Sequence, residues 1–298
     1  MKVRIGMGLG TRTATGASER YARFVDDLER LGFDSLWLSE RVGGPAPDPL
    51  VALAVAAGRT RRLKLGTSVL VVPGRNPVLL AKELASLDRL SGGRLLPAVG
   101  LGAVDPHEQQ AFGVDRRQRG SIFDEALPLI RRLWRGEPVD HDGEHFHLEG
   151  VTVQPTPLQD PPDVWLGGIS PVELRRVGRL GDGWLPSFCS ADDLRDGIPA
   201  VVAEADRHDR TIDPEHFGAL VAYRRGPLPD ALAAFIGRRR PDLDPSSVVP
   251  EGIDGLRSVL EAMIDAGASK FVVLPLVEPD DWTTELEALA DGLFPLQT

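Results

Sequence analysis

LKLGTSVLVVPGRNPVLLAKELASLDRLSGGRLLPAVGLG, residues Leu63 to Gly102, reads as strand, loop, helix, turn and strand. Lys64 to Val72 is a run of leucine and β-branched residues that Pro73-Gly74 stops. Proline lacks an N–H and is tolerated at the first position of a helix, so Pro77 opens one in which Leu80, Leu84, Leu87 and Leu90 recur at helical spacing. Gly92-Gly93 ends it, because glycine takes the left-handed turn without steric cost. Leu95 to Val99 forms a second buried run and delivers Gly100, Leu101 and Gly102 to the edge where a parallel sheet meets its ligand. A helix between two such strands is the right-handed crossover of a parallel sheet.

The same alternation extends in both directions. Strands are expected over Val3–Met7, Ser35–Leu38, Leu65–Val71, Leu95–Val99, Val164–Leu166, Gly183–Pro186, Gly218–Tyr223 and Lys270–Pro275. Helical patterns lie at Arg20–Leu31, Pro49–Arg59, Pro77–Leu90, Ser121–Trp134, Pro171–Leu180, Ala191–Asp206, Gly255–Ala266 and Trp282–Leu293. Eight βα units predict an α/β fold of the (β/α)8 TIM-barrel type, a single domain over residues 1–298. A doubly wound sheet fits less well, since Gly6-Met7-Gly8-Leu9-Gly10 is followed by no helix start until Ser18. Two insertions interrupt the rhythm. Pro138 to Pro157, after the fourth helix, alternates around Asp142-Gly143 and Glu149-Gly150 and predicts a small β excursion. Arg224 to Glu251, after the seventh strand, holds five prolines and predicts a long loop with a short helix near Asp230 to Arg238, on the catalytic face of a barrel.

A net charge of −10 with no long basic face argues against a nucleic-acid binder. Short clusters such as Arg116/Arg117/Arg119, Arg175/Arg176/Arg179 and Arg238 to Arg240 are expected to be solvated ion-pair partners. No window reaches the roughly eighteen uninterrupted apolar residues of a spanning helix, and the start MKVRIGMGLG lacks the pattern of a signal peptide. One cysteine, Cys189, permits no internal disulfide, and a cytoplasmic location with no membrane partner is expected.

Barrel active sites are assembled at the C-terminal ends of the strands. The second strand exposes Ser39, Glu40 and Arg41 there, and Glu40 with Arg41 also fits an ordinary ion pair closing the barrel end. The fifth delivers Gly167-Gly168, which allow close backbone approach, followed by Ile169 and by Ser170-Pro171 at the start of a helix whose free amides suit a phosphate. A tight strand–helix turn without a ligand has the same sequence. His141, His145 and His147 crowd together in HDGEHFH, but their spacing does not match a metal motif, so a hairpin with surface imidazoles and no metal is expected. His107 with Glu108, just past the fourth strand, is the better functional histidine. Neither a nucleophile elbow nor a Walker loop is present.

These segments together, with HEQQAFGV, DEALPLIRRLWRGEPVDHDGEHF and WLGGISPVELRRVGRLGDGWLP, resemble the bacterial luciferase-like monooxygenase superfamily over nearly the whole chain. Its members use FMN or the 5-deazaflavin coenzyme F420 in a TIM barrel. The resemblance implies that Ser68-Val69 forms a bulge, often with a non-prolyl cis peptide, behind the flavin ring. It implies that Leu101 and Gly102 line the ring and that Gly167, Gly168, Ile169 and Ser170 receive the cofactor phosphate. Ser39 is placed with the cofactor-binding residues. GTSVL looks more like the deazaflavin branch. In the sugar-phosphate dehydrogenases of that branch the second strand ends in an acid followed by a catalytic His, here Glu40 and Arg41. Their Glu after GxG is here Ala103, and the Trp often found next is Val104. Arginine donates no proton at ordinary pH, which leaves Glu40, His107 and Glu108 as candidate catalytic residues.

The resemblance therefore implies an F420-dependent oxidoreductase moving hydride to or from a small organic substrate. An FMN-dependent monooxygenase fed by a separate flavin reductase, and a catalytically silent flavin-binding barrel, are the alternatives. The loops after Gly10, Arg41 and Arg224 are expected to touch substrate, and a homodimer is expected from the same likeness.

Overall fold

The computed structural model describes residues 1–11 and 18–298. Among the described residues, eight parallel barrel strands alternate with helices. They are β1 (Arg4–Leu9), β2 (Ser35–Leu38), a third split into β3 (Lys64–Thr67) and β4 (Leu70–Val71), and a fourth split into β5 (Leu95–Leu96) and β6 (Ala98–Gly100). After a hairpin of β7 (Val139–Asp142) and β8 (His147–Val151) come β9 (Trp165–Leu166), β10 (Gly183–Trp184), β11 (Gly218–Tyr223) and β12 (Lys270–Pro275). The ladders run β11-β12-β1-β2-β3-β5 and β4-β6-β9-β10. Parallel bridges Trp184↔Phe217 and Ser187↔Leu220 join β10 to β11 and complete the ring.

The expected third and fourth strands are continuous, whereas both are interrupted at one height. The Ser68-Val69 peptide is cis there, and Pro97, which has no N–H to give a ladder, sits opposite. Thr67 spans the gap: its Oγ1 donates to the Ala98 carbonyl at 2.7 Å and accepts the Ala98 N–H at 3.0 Å.

The helices are α1 (Ser18–Leu31), α2 (Pro49–Arg59), α3 (Pro77–Ser91), α4 (Pro106–Phe112), α5 (Arg119–Leu133), α6 (Pro171–Leu180), α7 (Ala191–Asp206), α8 (Asp230–Arg239), α9 (Gly252–Asp265) and α10 (Trp282–Leu293). The opening stretch folds as its punctuation demands. Asn76 Oδ1 accepts the amides of Val78 and Leu79 at 2.9 and 3.2 Å, Pro77 is the first helical residue, and Gly92 ends α3 at φ 75°. The helix α4 was not expected, because PHEQQAF is short and carries no apolar period. Asp105 caps it through the His107 amide at 2.9 Å. The short helix in the second insertion is α8, and the excursion is the antiparallel β7–β8 pair.

The barrel interior is filled by Trp37, Ala98, Trp165, Leu185 and Val272. The two indoles meet edge to face with ring centres 6.4 Å apart. Each lies against a glycine: a Cβ at Gly66 would fall 2.3 Å from the Trp37 ring, and one at Gly183 2.5 Å from that of Trp165. At the opposite end of the barrel from the strand C-termini, Asp34 takes ion pairs from Lys64 at 3.0 Å and from the buried Lys270 at 2.9 Å. Burial works to raise the Asp34 carboxyl, but Lys270 and Lys64 outweigh it and hold the group below its usual value.

Among the described residues no helix is long and apolar enough to cross a membrane, and no three His, Cys, Asp or Glu side chains converge as a metal site. The three hairpin histidines go to separate partners. His141 pairs with Glu125 at 2.8 Å, His145 with Ser121 at 2.8 Å and His147 with Asp142 at 2.8 Å. Only His147 is a surface imidazole; the other two tuck against α5.

Candidate active site

A cavity of about 830 Å³ opens at the C-terminal ends of the strands. It brings together Ser39, Glu40, Ser68, Val69, Leu101, Gly102, Gly167, Gly168, Ile169 and Ser170. His107 and Glu108 do not line it.

One wall is the break in the third strand. Ser39 Oγ donates to the Ser68 carbonyl at 2.8 Å, and the Glu40 amide donates to the Val69 carbonyl at 3.2 Å, so the end of β2 fixes the cis segment from the side. Val69 presses over β6: a Cβ at Gly100 would lie 2.7 Å from Val69 Cγ2. Gly102, at φ 82°, adopts a backbone conformation other residues rarely take and packs beneath Val71.

Glu40 is buried at the rim of this wall. Its carboxylate accepts the Val71 amide at 2.7 Å and pairs with Arg75, whose Nε in turn donates to the Val71 carbonyl at 3.0 Å. Burial raises the Glu40 carboxyl above its ordinary value and outweighs the Val71 amide and the Arg75 charge, which pull the other way. The Glu40–Arg41 pair allowed by the sequence does not form. Arg41 pairs instead with Asp105 at 2.6 Å, and Glu40 with Arg75.

Glu108 is buried, and its oxygens accept the amides of Val42 and Gly43 at 3.1 and 2.9 Å. That carboxylate shapes the loop after β2 from behind the cavity. His107 is 93% exposed and lies 3.5 Å from Asp105. The cap at Asp105 turns it outward on the first turn of α4, a rotation invisible without the helix.

The opposite wall is the turn from β9 into α6. Gly168, at φ 95°, accepts the Trp184 Nε1–H at its carbonyl at 2.8 Å. Ser170 caps the helix, and Glu173 completes a capping box by accepting the amides of Ile169 at 3.1 Å and Ser170 at 2.9 Å. Ile169 and Ser170 are two of the four residues that the resemblance assigns to a phosphate. The spacing Ser170-x-x-Glu173 is the sequence signature of that box.

Arginines from three helices also reach the cavity. Arg119, at the start of α5, donates to the Gly102 carbonyl at 3.2 Å. Burial and then the nearby Arg116, Arg176 and Arg239 lower its pKa, against Glu173. Arg176 is held by Asp124 at 2.7 Å, Arg239 lies over the Phe235 ring at 5.5 Å, and Arg240 grips Asp193 with two bonds of 2.8 and 3.0 Å. The expected ion-pair role holds for Arg176 with Asp124 and for Arg240 with Asp193, and Arg119, Arg176, Arg239 and Arg240 in addition line the cavity. Arg119, Arg176 and the adjacent Arg239 and Arg240 are far apart in sequence, and only the closure of the ring brings the three groups together. Of the loops expected to touch substrate, residues 12–17 after Gly10 lie outside the described residues. Thr11 and Arg41 line the cavity, and the Arg224–Glu251 insertion contributes through α8.

The chain is 33% identical over 66% of its length to a protein of Kineococcus radiotolerans named F420-dependent glucose-6-phosphate dehydrogenase. It is 33% identical over 62% of its length to the 4-hydroxyprotoasukamycin monooxygenase of Streptomyces nodosus subsp. asukaensis. The alignments span 63% and 53% of those relatives' own lengths. The coenzyme F420-dependent tetrahydromethanopterin reductase of Methanopyrus kandleri has the same fold, with a TM-score of 0.77 over all of both chains at 17% identity. The family model for luciferase-like monooxygenases matches residues 3–226, and the chain belongs to that family.

Proposed function

We propose that the protein is an oxidoreductase that uses coenzyme F420 to pass hydride to or from a small organic substrate. The observation that carries this reading is the cavity between the Ser68-Val69 wall and the Gly167–Ser170 turn, with room for a tricyclic ring beside Val69 and Leu101. The deazaflavin relative supports the choice of cofactor. The coenzyme, when bound, supplies the hydride chemistry, and the protein supplies position and electrostatics.

Val69 and Leu101 offer apolar surface, and Ser39 holds the cis segment in place. Leu185, Leu220, Phe188 and Phe235 make the substrate side largely apolar. Glu40 is the carboxylate at the second strand end, where burial favours its protonated form. With Arg41 tied to Asp105, and with Ala103 and Val104 in place of an acid and an indole, the rim is unlike one built for sugar-phosphate oxidation.

The monooxygenase relative favours a second reading, an FMN enzyme served by a separate flavin reductase. Exposed Val51 and Val55 on α2 and Leu79 on α3 support self-association as a homodimer, and the single buried Cys189 suits the cytoplasm.

The test is to titrate purified protein with F420 and with FMN, following fluorescence quenching, and then to follow the deazaflavin absorbance band with a panel of alcohols, carbonyls and activated alkenes. F420 binding with substrate-dependent reduction or oxidation is expected. Binding of FMN alone overturns the reading, and F420 binding with no turnover on any substrate points to a silent barrel.

A further inference from the structure

We infer that Phe188 and Phe235 select the substrate of this site, and that the class they select carries a planar, unsaturated ring. The inference deepens the oxidoreductase reading above and rests on it. Phe188 follows β10 and Phe235 lies on α8, in the insertion after β11, yet both line the cavity. Their rings meet edge to face with centres 6.3 Å apart.

Both rings sit where a side chain is costly to keep. Phe235 is 38% exposed, and among the described residues it is the one exposed aromatic side chain; every other ring is buried or half-buried. It forgoes the burial that aromatic side chains ordinarily gain. Phe188 has φ 52°, in the left-handed region that bulky residues rarely adopt and that persists only when the surroundings enforce it. Arg240 reaches the Phe188 carbonyl at 3.5 Å and is itself held by two bonds to Asp193. A glycine would take this turn without strain, so the ring is kept for its contacts. It packs on the cluster of Ile236, Val248 and Val249 and also faces the cavity.

The polar groups beside the pair are already committed. Arg240 is taken by Asp193 and Asp242, and the Arg239 guanidinium lies over the Phe235 ring, 5.5 Å from its centre. Leu185 and Leu220 add aliphatic surface to the same cavity, and aliphatic surface accepts any apolar group that fits. Two phenyl rings set edge to face offer more. Each has an electron-rich face and a positive edge, which a third flat ring can meet and a saturated one cannot. The pair therefore separates planar from puckered rings of the same size.

The experiment loads wild type, Phe235→Leu and Phe188→Leu with oxidised F420, or with FMN where F420 does not bind. Dissociation constants for acetophenone, cyclohexyl methyl ketone and acetone are then read by titration calorimetry. An oxidised coenzyme has no hydride to give, so the ketones bind without reacting. Leucine keeps apolar bulk and removes the ring. It also suits an exposed helical position, so Phe235→Leu keeps its fold even where Phe188→Leu disturbs the left-handed turn. Circular dichroism verifies both. Wild type is expected to hold acetophenone about three- to tenfold tighter than its saturated counterpart, the worth of one ring pair, and acetone most weakly. Each folded variant should bring the two cyclic ketones to within about twofold of one another, with coenzyme affinity also within about twofold of wild type. Equal binding of the cyclic ketones to wild type, no binding of any ketone, or a preference that survives in a folded variant overturns the inference and leaves the cofactor reading intact. Failure of both F420 and FMN to load the protein overturns both.

Discussion

Replacing Arg75 by methionine isolates the buried charge of Glu40. The Glu40 side chain is 6% exposed and that of Arg75 22%. Removing one partner of a buried pair costs about 3–5 kcal/mol, because the remaining charge is left uncompensated. Water still reaches the Arg75 position, and Glu40 keeps the Val71 amide at 2.7 Å, so about 2–3 kcal/mol is expected here. In a domain of 298 residues that lowers Tm by roughly 3–5 °C. The penalty must depend on pH. The folded state holds the Glu40 proton more tightly than the unfolded chain, whose value is near 4.5, chiefly because of burial. The contribution of Glu40 is therefore complete below the unfolded value and is lost as pH rises through the folded one. Without Arg75 the folded value rises further, which makes the destabilisation larger at pH 8 than at pH 5. A Glu40→Gln/Arg75→Met double variant removes the charge while the amide oxygen still accepts the Val71 N–H, and should recover most of the loss. Thermal unfolding of the wild type, Glu40→Gln, Arg75→Met and the double variant at both pH values measures this. Equal penalties at the two pH values, or a double variant no more stable than Arg75→Met, would refute the reasoning.

Two further outcomes follow from the geometry. His107→Ala should leave cofactor binding and turnover within about twofold of wild type, since the ring is 93% exposed and outside the cavity; a tenfold loss in titration or steady-state rate would return it to the active site. Asp34→Asn should destabilise the protein at neutral pH by about 3 kcal/mol, because it strands the buried Lys270. The wild-type Asp34 carboxyl sits below its usual value, where Lys270 and Lys64 overcome the effect of burial. Its stabilising contribution is present above the unfolded value and disappears as pH falls through the folded one. Urea midpoints of the two proteins should therefore converge toward pH 3, and a constant difference from pH 7 to pH 3 would contradict this.

The alternation of elements was legible because each boundary carried its own chemistry: Asn76-Pro77 starts a helix, Gly92-Gly93 ends it, and Pro73-Gly74 stops a strand. The breaks at Ser68-Val69 and Pro97 were not legible from hydrophobic pattern, which continues across them. The Ser68-Val69 segment came into view through the family likeness, and its bond is cis. Proximity to a strand end misplaced His107, since one turn of α4 decides whether a side chain faces the cavity or solvent. Glu108 was singled out as an acid, but its depth, and the two amides it accepts, make it a holder of the β2 loop. Ser170 and Glu173 carried two messages at once, an anion-binding helix start and a capping box, and in the folded turn the second is satisfied. Arg119 was hidden for a simpler reason. Its role depends on which other arginines face it across the ring, and sequence distance says nothing about that.

The coincident gaps in the third and fourth strands divide the barrel into two ladders of different composition. Val69, Leu101 and Gly167 directly flank strands of the four-stranded ladder, while β11, β12 and β1 belong to the six-stranded one. Thr67 joins the two with a side chain, and the seam beside β10 is held by isolated bridges. The insertion after β11 adds no strand to either ladder, so replacing it while keeping the Arg240–Asp193 pair to α7 should alter what enters the cavity and leave the register of the strands beside Val69 and Gly167 unchanged. In mechanical terms the molecule is a fixed frame around Val69 and Gly167 with a replaceable faceplate, and libraries aimed at changing what enters the cavity should be confined to the faceplate.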